Sequence, residues 1–262
     1  MDTKELLLSF SSVDGNSGDE KLAAKAAVEL LSKYGKTYID NLGSVICEVA
    51  PEKNGRKVML DAHLDQIALL VINIEENGFL RTYPCGGIDR RGICGTKVRV
   101  LGKEGEYAGI VCSVPPHIKD INDKNPERDE IFIDIGFDKE KVEKLVRMGD
   151  RVMMCGKWSD IGNGYVTGPA LDDRSGCVSI LEALEILKDK EIPCGLTAVF
   201  STREETGGQG AGAAAFAVAD YMGKVDDKVT VELYGGDLEL EISDDNFVYV
   251  TSSAENVFEI NW

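Results

Sequence analysis

Residues 57–66 read Lys57-Val-Met-Leu-Asp61-Ala-His63-Leu-Asp65-Gln66. The first six read as a β-strand, apolar at Val58, Met59, Leu60 and Ala62. Polar chemistry begins where that run stops. His63 is one of only two histidines in the chain, and Asp65 follows it on the same face of an extended segment. A carboxylate so placed can hold the far imidazole nitrogen and fix the tautomer.

Two further clusters lie in comparable positions. Ala170-Leu-Asp172-Asp173-Arg174 immediately precedes a helical run. Glu204 and Glu205 lie in Ser201-Thr-Arg-Glu-Glu-Thr-Gly-Gly-Gln-Gly-Ala211, just past the apolar strand Leu196–Phe200. In open α/β sheets, ligands bind beyond the carboxyl ends of the strands. One histidine among several carboxylates suits a hydrolytic Zn, Co or Mn site better than a thiolate site. Each cluster alone has an ordinary reading. Asp172-Asp173 can cap the next helix, and Glu204-Glu205 can be a solvated loop.

Outward from these clusters the chain alternates in texture. Residues 3–10 suit a short helix. Ser17 and Glu20 have capping-box spacing ahead of Leu22, Ala23, Ala26, Ala27, Leu30 and Leu31 at helical period, with Gly35 as the stop. Strands are predicted at Thr37–Ile39 and Val45–Val49 around an Asn41-Leu42-Gly43 turn. From about Ile67 to Tyr165 short strands recur between glycine turns: Leu69–Ile74, Lys97–Leu101, Tyr107–Cys112, Ile131–Ile135 and Arg151–Cys155. Only a brief helix, Lys139–Val146, interrupts them. This is the pattern of a small barrel or sandwich, inserted between His63 and Asp172. Helix returns at Gly176–Leu187, and a helix of small residues is predicted at Ala211–Met222. Val229, Val231 and Leu233, then Leu238, Leu240 and Ile242, alternate about Gly235-Gly236 as a hairpin. Strands Phe247–Val250 and Val257–Ile260 follow. The fold class is α/β.

Composition narrows the function. Of 262 residues, Lys and Arg number 29 and Asp and Glu 46, a net charge of −17. Phosphate backbones and anionic lipid surfaces are repelled by such a chain, so neither nucleic acid nor membrane is expected as a partner. No apolar run reaches the ~18 residues of a membrane span, and Met1–Phe10 does not read as a signal peptide. The seven cysteines (47, 85, 94, 112, 155, 177 and 194) show no C-x-x-C pairing. They suit reduced, mostly buried thiols and a cytoplasmic location. Cys177 and Cys194 lie in apolar surroundings.

The order of motifs carries a resemblance. His-x-Asp, a β insert of about 100 residues, Leu-Asp-Asp-Arg-x-Gly and then Glu-Glu-x-Gly-x-x-Gly-Ala resemble the tetrahedral, glutamyl-type aminopeptidases, a cytoplasmic family of dinuclear metallopeptidases. Asn77-Gly-Phe-Leu80, Gly86-Gly87, Pro115-Pro-His117, Asp134-Ile-Gly136 and Gly149-Asp150 also resemble it, and the likeness covers about residues 1–215. It implies a mixed-sheet catalytic domain from 1–67 plus 168–215, an inserted β-barrel-like domain at 68–167 that drives homo-oligomer assembly, and peptide substrates. It implies two divalent metals per chain. His63 would bind one, Asp172 would bridge both, and Glu205 would bind the second. Glu204 would be the general base and Asp65 would orient His63. His117 would be structural. The chain departs from the family pattern in having Gln66 where Glu is usual and no His after His117, although Asp226 and Asp227 lie near the position of a further Asp ligand. An impaired aminopeptidase holding one metal or none is therefore expected. A non-catalytic remnant that forms oligomers or binds a single metal is the other reading.

The tail resembles a different family. Gly210-Ala-Gly-Ala213, Gly223-Lys224, Lys228–Glu241, Val248–Thr251 and Ala254–Phe258 resemble the C-terminus of diaminopimelate epimerase, over about 207–262, with 216–262 as a β-rich tail. That family's catalytic Cys position is Gly212 here, so no epimerase thiol is expected.

Overall fold

The computed structural model describes residues 2–51, 53, 55–113, 126–128, 130–207, 228–233, 236–242 and 248–252. In chain order the elements are α1 (Thr3–Ser11), α2 (Lys21–Leu31), β1 (Lys36–Ile39), β2 (Val45–Ala50), β3 (Lys57–His63), β4 (Ala68–Ile74), β5 (Leu80–Cys85), β6 (Lys97–Leu101), β7 (Glu106–Val111) and β8 (Ile131–Asp134). Then come α3 (Lys139–Leu145), β9 (Arg151–Met154), β10 (Ser159–Gly162), β11 (Tyr165–Thr167), α4 (Leu171–Leu187), β12 (Gly195–Ser201), β13 (Lys228–Leu233), β14 (Gly236–Ile242) and β15 (Val248–Ser252). The chain divides into two compact units, the second formed by residues 67–157 and the first by the segments before and after it.

The first unit is built on a four-stranded sheet in the order β1-β2-β12-β3. β2 runs antiparallel to both β1 and β12, while β12 and β3 are parallel, in register from Gly195↔Lys57 to Ser201↔His63. Parallel neighbours point paired residues to the same side, so Ala62 and Phe200 share a face with Ala198, Val45 and Cys47. That face packs on Phe10 of α1, on Ala23, Ala27 and Leu31 of α2, and on Cys177, Leu181 and Leu184 of α4 in one buried cluster. Each fully buried Leu or Phe there contributes roughly 1.5–3 kcal/mol. The small side chains of α2 let it lie close on the sheet.

The Ser17–Glu20 capping box does not form. α2 starts at Lys21, and its N-cap, Glu20, makes no side-chain capping bond. The Ser17 amide, which Glu20 would accept in a capping box, donates instead to the Gln66 carbonyl at 3.1 Å.

The second unit is a closed antiparallel barrel, β4-β5-β8-β7-β6-β9. Alternate residues fill it: Leu69 and Val71, Val98 and Val100, Ile131 and Ile133, with Val142 and Val146 from the α3 region. Its second strand in chain order, β5, escapes the sequence reading because Pro84 and Arg81 interrupt the apolar pattern, and a strand Pro argues against pairing. The small hairpin β10–β11 escapes it too, since its residues are almost all exposed. At the β4–β5 turn Gly78 has φ +85; an added Cβ would sit 2.3 Å from the Phe137 carbonyl oxygen.

β13, β14 and β15 form a three-stranded antiparallel sheet. Its first hairpin pairs Lys228↔Glu241 through Leu233↔Gly236, so Gly236 is a strand residue and not, as the Gly235-Gly236 reading has it, a turn residue. The predicted helix at 211–222, the strand at 257–260, His117, Gly212, Asp226 and Asp227 lie outside the described residues. None of the seven cysteines is in a disulfide. Only Cys47 and Cys177 are buried; Cys85, Cys112 and Cys194 are half-buried and Cys94 and Cys155 exposed, so the mostly buried thiols expected from sequence are not found. Among the described residues no helix is long and apolar enough to cross a membrane.

Candidate functional site

The parallel register sets the site. His63, the last residue of β3, pairs with Ser201, the last of β12, so the loops leaving the two strands emerge side by side. His63 is buried, and its Nδ1 lies 3.1 Å from the Asp65 carbonyl oxygen and 3.5 Å from Asp65 Oδ1. Both are acceptors, so in the neutral ring the proton belongs on Nδ1 and the lone pair on Nε2. Nε2 faces the other way, 3.2 Å from Asp172 Oδ1 and 3.6 Å from Glu204 Oε2.

Asp65 is fully buried and spans the two loops. Its Oδ1 accepts from the Glu204 amide at 3.1 Å and its Oδ2 from the Glu205 amide at 3.2 Å. Burial works against a charge on His63, but the hydrogen bond and charge of Asp65, with Glu204 and Asp173 nearby, outweigh it and raise the ring to about 9. Burial likewise works against ionised Asp65, and the bonds from His63 and the two amides outweigh it, holding that carboxyl below its ordinary range.

The Asp172-Asp173 pair divides its labour. Neither residue has helical backbone angles. Asp173 Oδ1 accepts from the Gly176 amide at 3.1 Å, which is how an N-cap satisfies the first turn. An added Cβ at Gly176 would lie 2.3 Å from that oxygen, so the glycine makes room for the cap. The capping reading therefore holds for Asp173, while exposed Asp172 turns to His63.

Two contributors are not evident from sequence. Arg174 is 0% exposed. Its Nε donates to the Leu64 carbonyl at 3.0 Å, and its Nη1 to the carbonyls of Val13, at 2.6 Å, and Phe10. It thereby fastens the His63–Asp65 loop to the end of α1. Glu20 accepts from the Arg203 amide at 3.2 Å. For the first, the run Asp172-Asp173-Arg174 put it beside site residues without marking it as buried; for the second, the local capping pattern pointed elsewhere.

The donor set fits a divalent cation. Two ligand atoms of a tetrahedral ion with bonds of ~2.0–2.1 Å lie roughly 3.3 Å apart, and the 3.2 Å between His63 Nε2 and Asp172 Oδ1 matches that edge. The carboxylate behind Nδ1 is the outer support such a histidine ligand has. Among the described residues, no three His, Cys, Asp or Glu side chains are already grouped to hold an ion. Glu205 joins the cluster through its backbone amide on Asp65.

Fold and cluster together define a class: a mixed α/β protein with a histidine and carboxylates where two parallel strands end, and a six-stranded barrel between its sheet strands. The chain belongs to the M42 glutamyl aminopeptidase family, whose pattern matches residues 43–234. That match runs past residue 215 and takes in β13. The chain is 31% identical to the lysyl aminopeptidase of Pyrococcus furiosus, over 84% of this chain and 64% of that protein. Among solved structures it is similar to an aminopeptidase from the archaeon Desulfurococcus kamchatkensis, with TM-score 0.76, 34% identity and coverage of 83% of this chain and 60% of that one. It is also similar to the Pyrococcus horikoshii TET1 peptidase, which assembles into a tetrahedron or a large octahedral shell, with TM-score 0.72, 30% identity and coverage of 82% and 64%. The chain thus spans less than two thirds of the length of each of these relatives.

Proposed function

We propose that this chain is a metal-dependent aminopeptidase that removes N-terminal residues from peptides, with reduced activity because the cluster among the described residues offers a single histidine. The observation that carries the reading is His63 Nε2 facing Asp172 and Glu204 while Asp65 holds Nδ1. His63, Asp172 and Glu205 are the ligands in this reading, for Zn, Co or Mn. A divalent ion, when bound, supplies Lewis acidity toward the peptide carbonyl. Glu204 takes a proton from the attacking water as its oxygen bonds to the carbonyl carbon. It returns that proton to the amine as the C–N bond breaks. Asp65 keeps the His63 lone pair on Nε2 and holds the Glu204–Glu205 turn by its amides. The barrel unit serves homo-oligomer assembly, and the cysteine pattern supports a cytoplasmic location. The epimerase-like reading of the tail is kept only beyond residue 234, where the M42 family match ends.

A second reading is a non-catalytic protein that binds a single metal, because among the described residues His63 is the one imidazole in the cluster and no three side chains are already grouped to hold an ion. Native mass spectrometry with Zn or Co, read beside release of N-terminal residues from tripeptides, separates the two: metal binding with turnover supports the enzyme, and metal binding without turnover supports the remnant. In titration calorimetry His63→Ala should abolish metal binding. Glu204→Gln should leave binding intact and remove hydrolysis, since Glu204 is base and not ligand. If His63→Ala binds Zn as tightly as the parent, the site assignment is wrong.

A further inference from the structure

Three consecutive amides in the turn after β12 are each taken by a carboxylate oxygen. Glu20 Oε1 accepts from Arg203, and the two oxygens of Asp65 accept from Glu204 and Glu205. Arg203 is left-handed, at φ 60 and ψ 25, and a 3-10 turn follows over Glu204–Thr206. Such an alternation aims successive N–H groups into one concavity suited to anions. The turn is therefore shaped from outside, by two acids that are 7% and 0% exposed.

We propose that Glu20 is a positioning residue for the site, fixing the turn that presents Glu204 and Glu205. Its Oε1 accepts at once from Gly18, at 2.7 Å, and from Arg203, at 3.2 Å, so it ties the start of α2 to the backbone just ahead of Glu204. Neighbouring contacts act in the same sense. Ser17 Oγ lies 2.8 Å from Thr206 Oγ1, and the Ser17 amide donates to the Gln66 carbonyl while the Gln66 amide donates to that of Gly15. Segment 15–20 thus bridges the loops leaving β3 and β12, whose side chains form the site. Asp65 alone fixes two amides of the turn and leaves the turn free to pivot at Arg203; Glu20 supplies the third point. The geometry stands independently of the chemistry, but a consequence for turnover rests on the reading of Glu204 and Glu205 given above.

Hydrogen exchange followed by NMR on the full metal-free chain tests the positioning. In Glu20→Ala the amides of Arg203, Glu204 and Glu205 should exchange at least about ten-fold faster, as expected for losing a bond to a buried charge. The amides of Val199 in β12 and Ile133 in the barrel should be unchanged. Glu20→Gln keeps an Oε1 acceptor and should restore protection. Release of N-terminal residues from tripeptides, with Co supplied, should show a kcat loss of about ten-fold in Glu20→Ala with KM nearly unmoved, and recovery in Glu20→Gln. Unchanged exchange at 203–205 overturns the proposal. So does equal acceleration throughout the chain, because a positioning residue acts locally, and so does an unaltered kcat in an active parent. Local exchange that responds as expected in a parent without turnover supports the positioning and defeats the aminopeptidase reading instead.

Discussion

At Asp65 a single buried carboxylate meets His63 Nδ1 on one side and the Glu204 and Glu205 amides on the other. The charge on His63 in the metal-free chain depends on it. With the ring raised to about 9, folded His63 stays protonated between its ordinary 6.5 and 9, where the unfolded chain has lost that proton. A raised pKa contributes stability that is complete below 6.5 and is lost as pH rises through 9. With a chelator present, the stability gap between the parent and His63→Gln should shrink from pH 6.5 to 9.5, by on the order of 3 kcal/mol. Denaturant midpoints across that range measure it, and a gap that widens with pH would contradict the arrangement. Arg174 makes the same loop depend on packing. Arg174→Ala removes a buried guanidinium and its bonds to the Leu64, Phe10 and Val13 carbonyls, of which Phe10 keeps the Val13 amide as a donor. A loss of about 1–3 kcal/mol in denaturant unfolding is expected, the cost of leaving a buried acceptor without its donor.

Elements whose period is self-contained were legible in the sequence. Ala23, Ala27 and Leu31 mark the buried side of α2, and the alternation in β6 and β8 marks the barrel interior. β5 was not legible, because Pro84 and Arg81 break its pattern locally while Leu80 and Thr82 still point inward. The strand-end rule placed His63 and Glu204 at comparable strand ends, and the β3–β12 register makes those ends neighbours. No local rule could pair Glu20 with Arg203, since that bond exists only once α2 has docked. Turns carry a further consequence at this scale. Gly78→Ala meets both a left-handed φ and the Phe137 carbonyl, and should cost about 2–3 kcal/mol. Gly136→Ala shares the positive φ but has open space around it, and should cost only about 1 kcal/mol. Thermal unfolding of the two variants checks the difference.

In the whole molecule, the barrel's buried cluster draws, among the described residues, on residues within 67–157. That segment expressed alone should therefore fold, giving a dispersed amide spectrum and a cooperative melt. The sheet unit has no such independence, because β3 and β12 are adjacent in space with the whole barrel and α4 between them in the chain. Near its two ends the barrel pairs Leu69 of β4 with Val152 of β9, so its completion draws the flanking segments to within a strand spacing of each other. Synthesis delivers β3 first, then the barrel, and β12 last. A barrel that closes early removes most of the entropy of a long loop before β12 seeks β3. It acts as a timer for the rest of the chain, and Gly78→Ala, far from the sheet in sequence and in chemistry, should slow the refolding step in which the β3–β12 amides become protected.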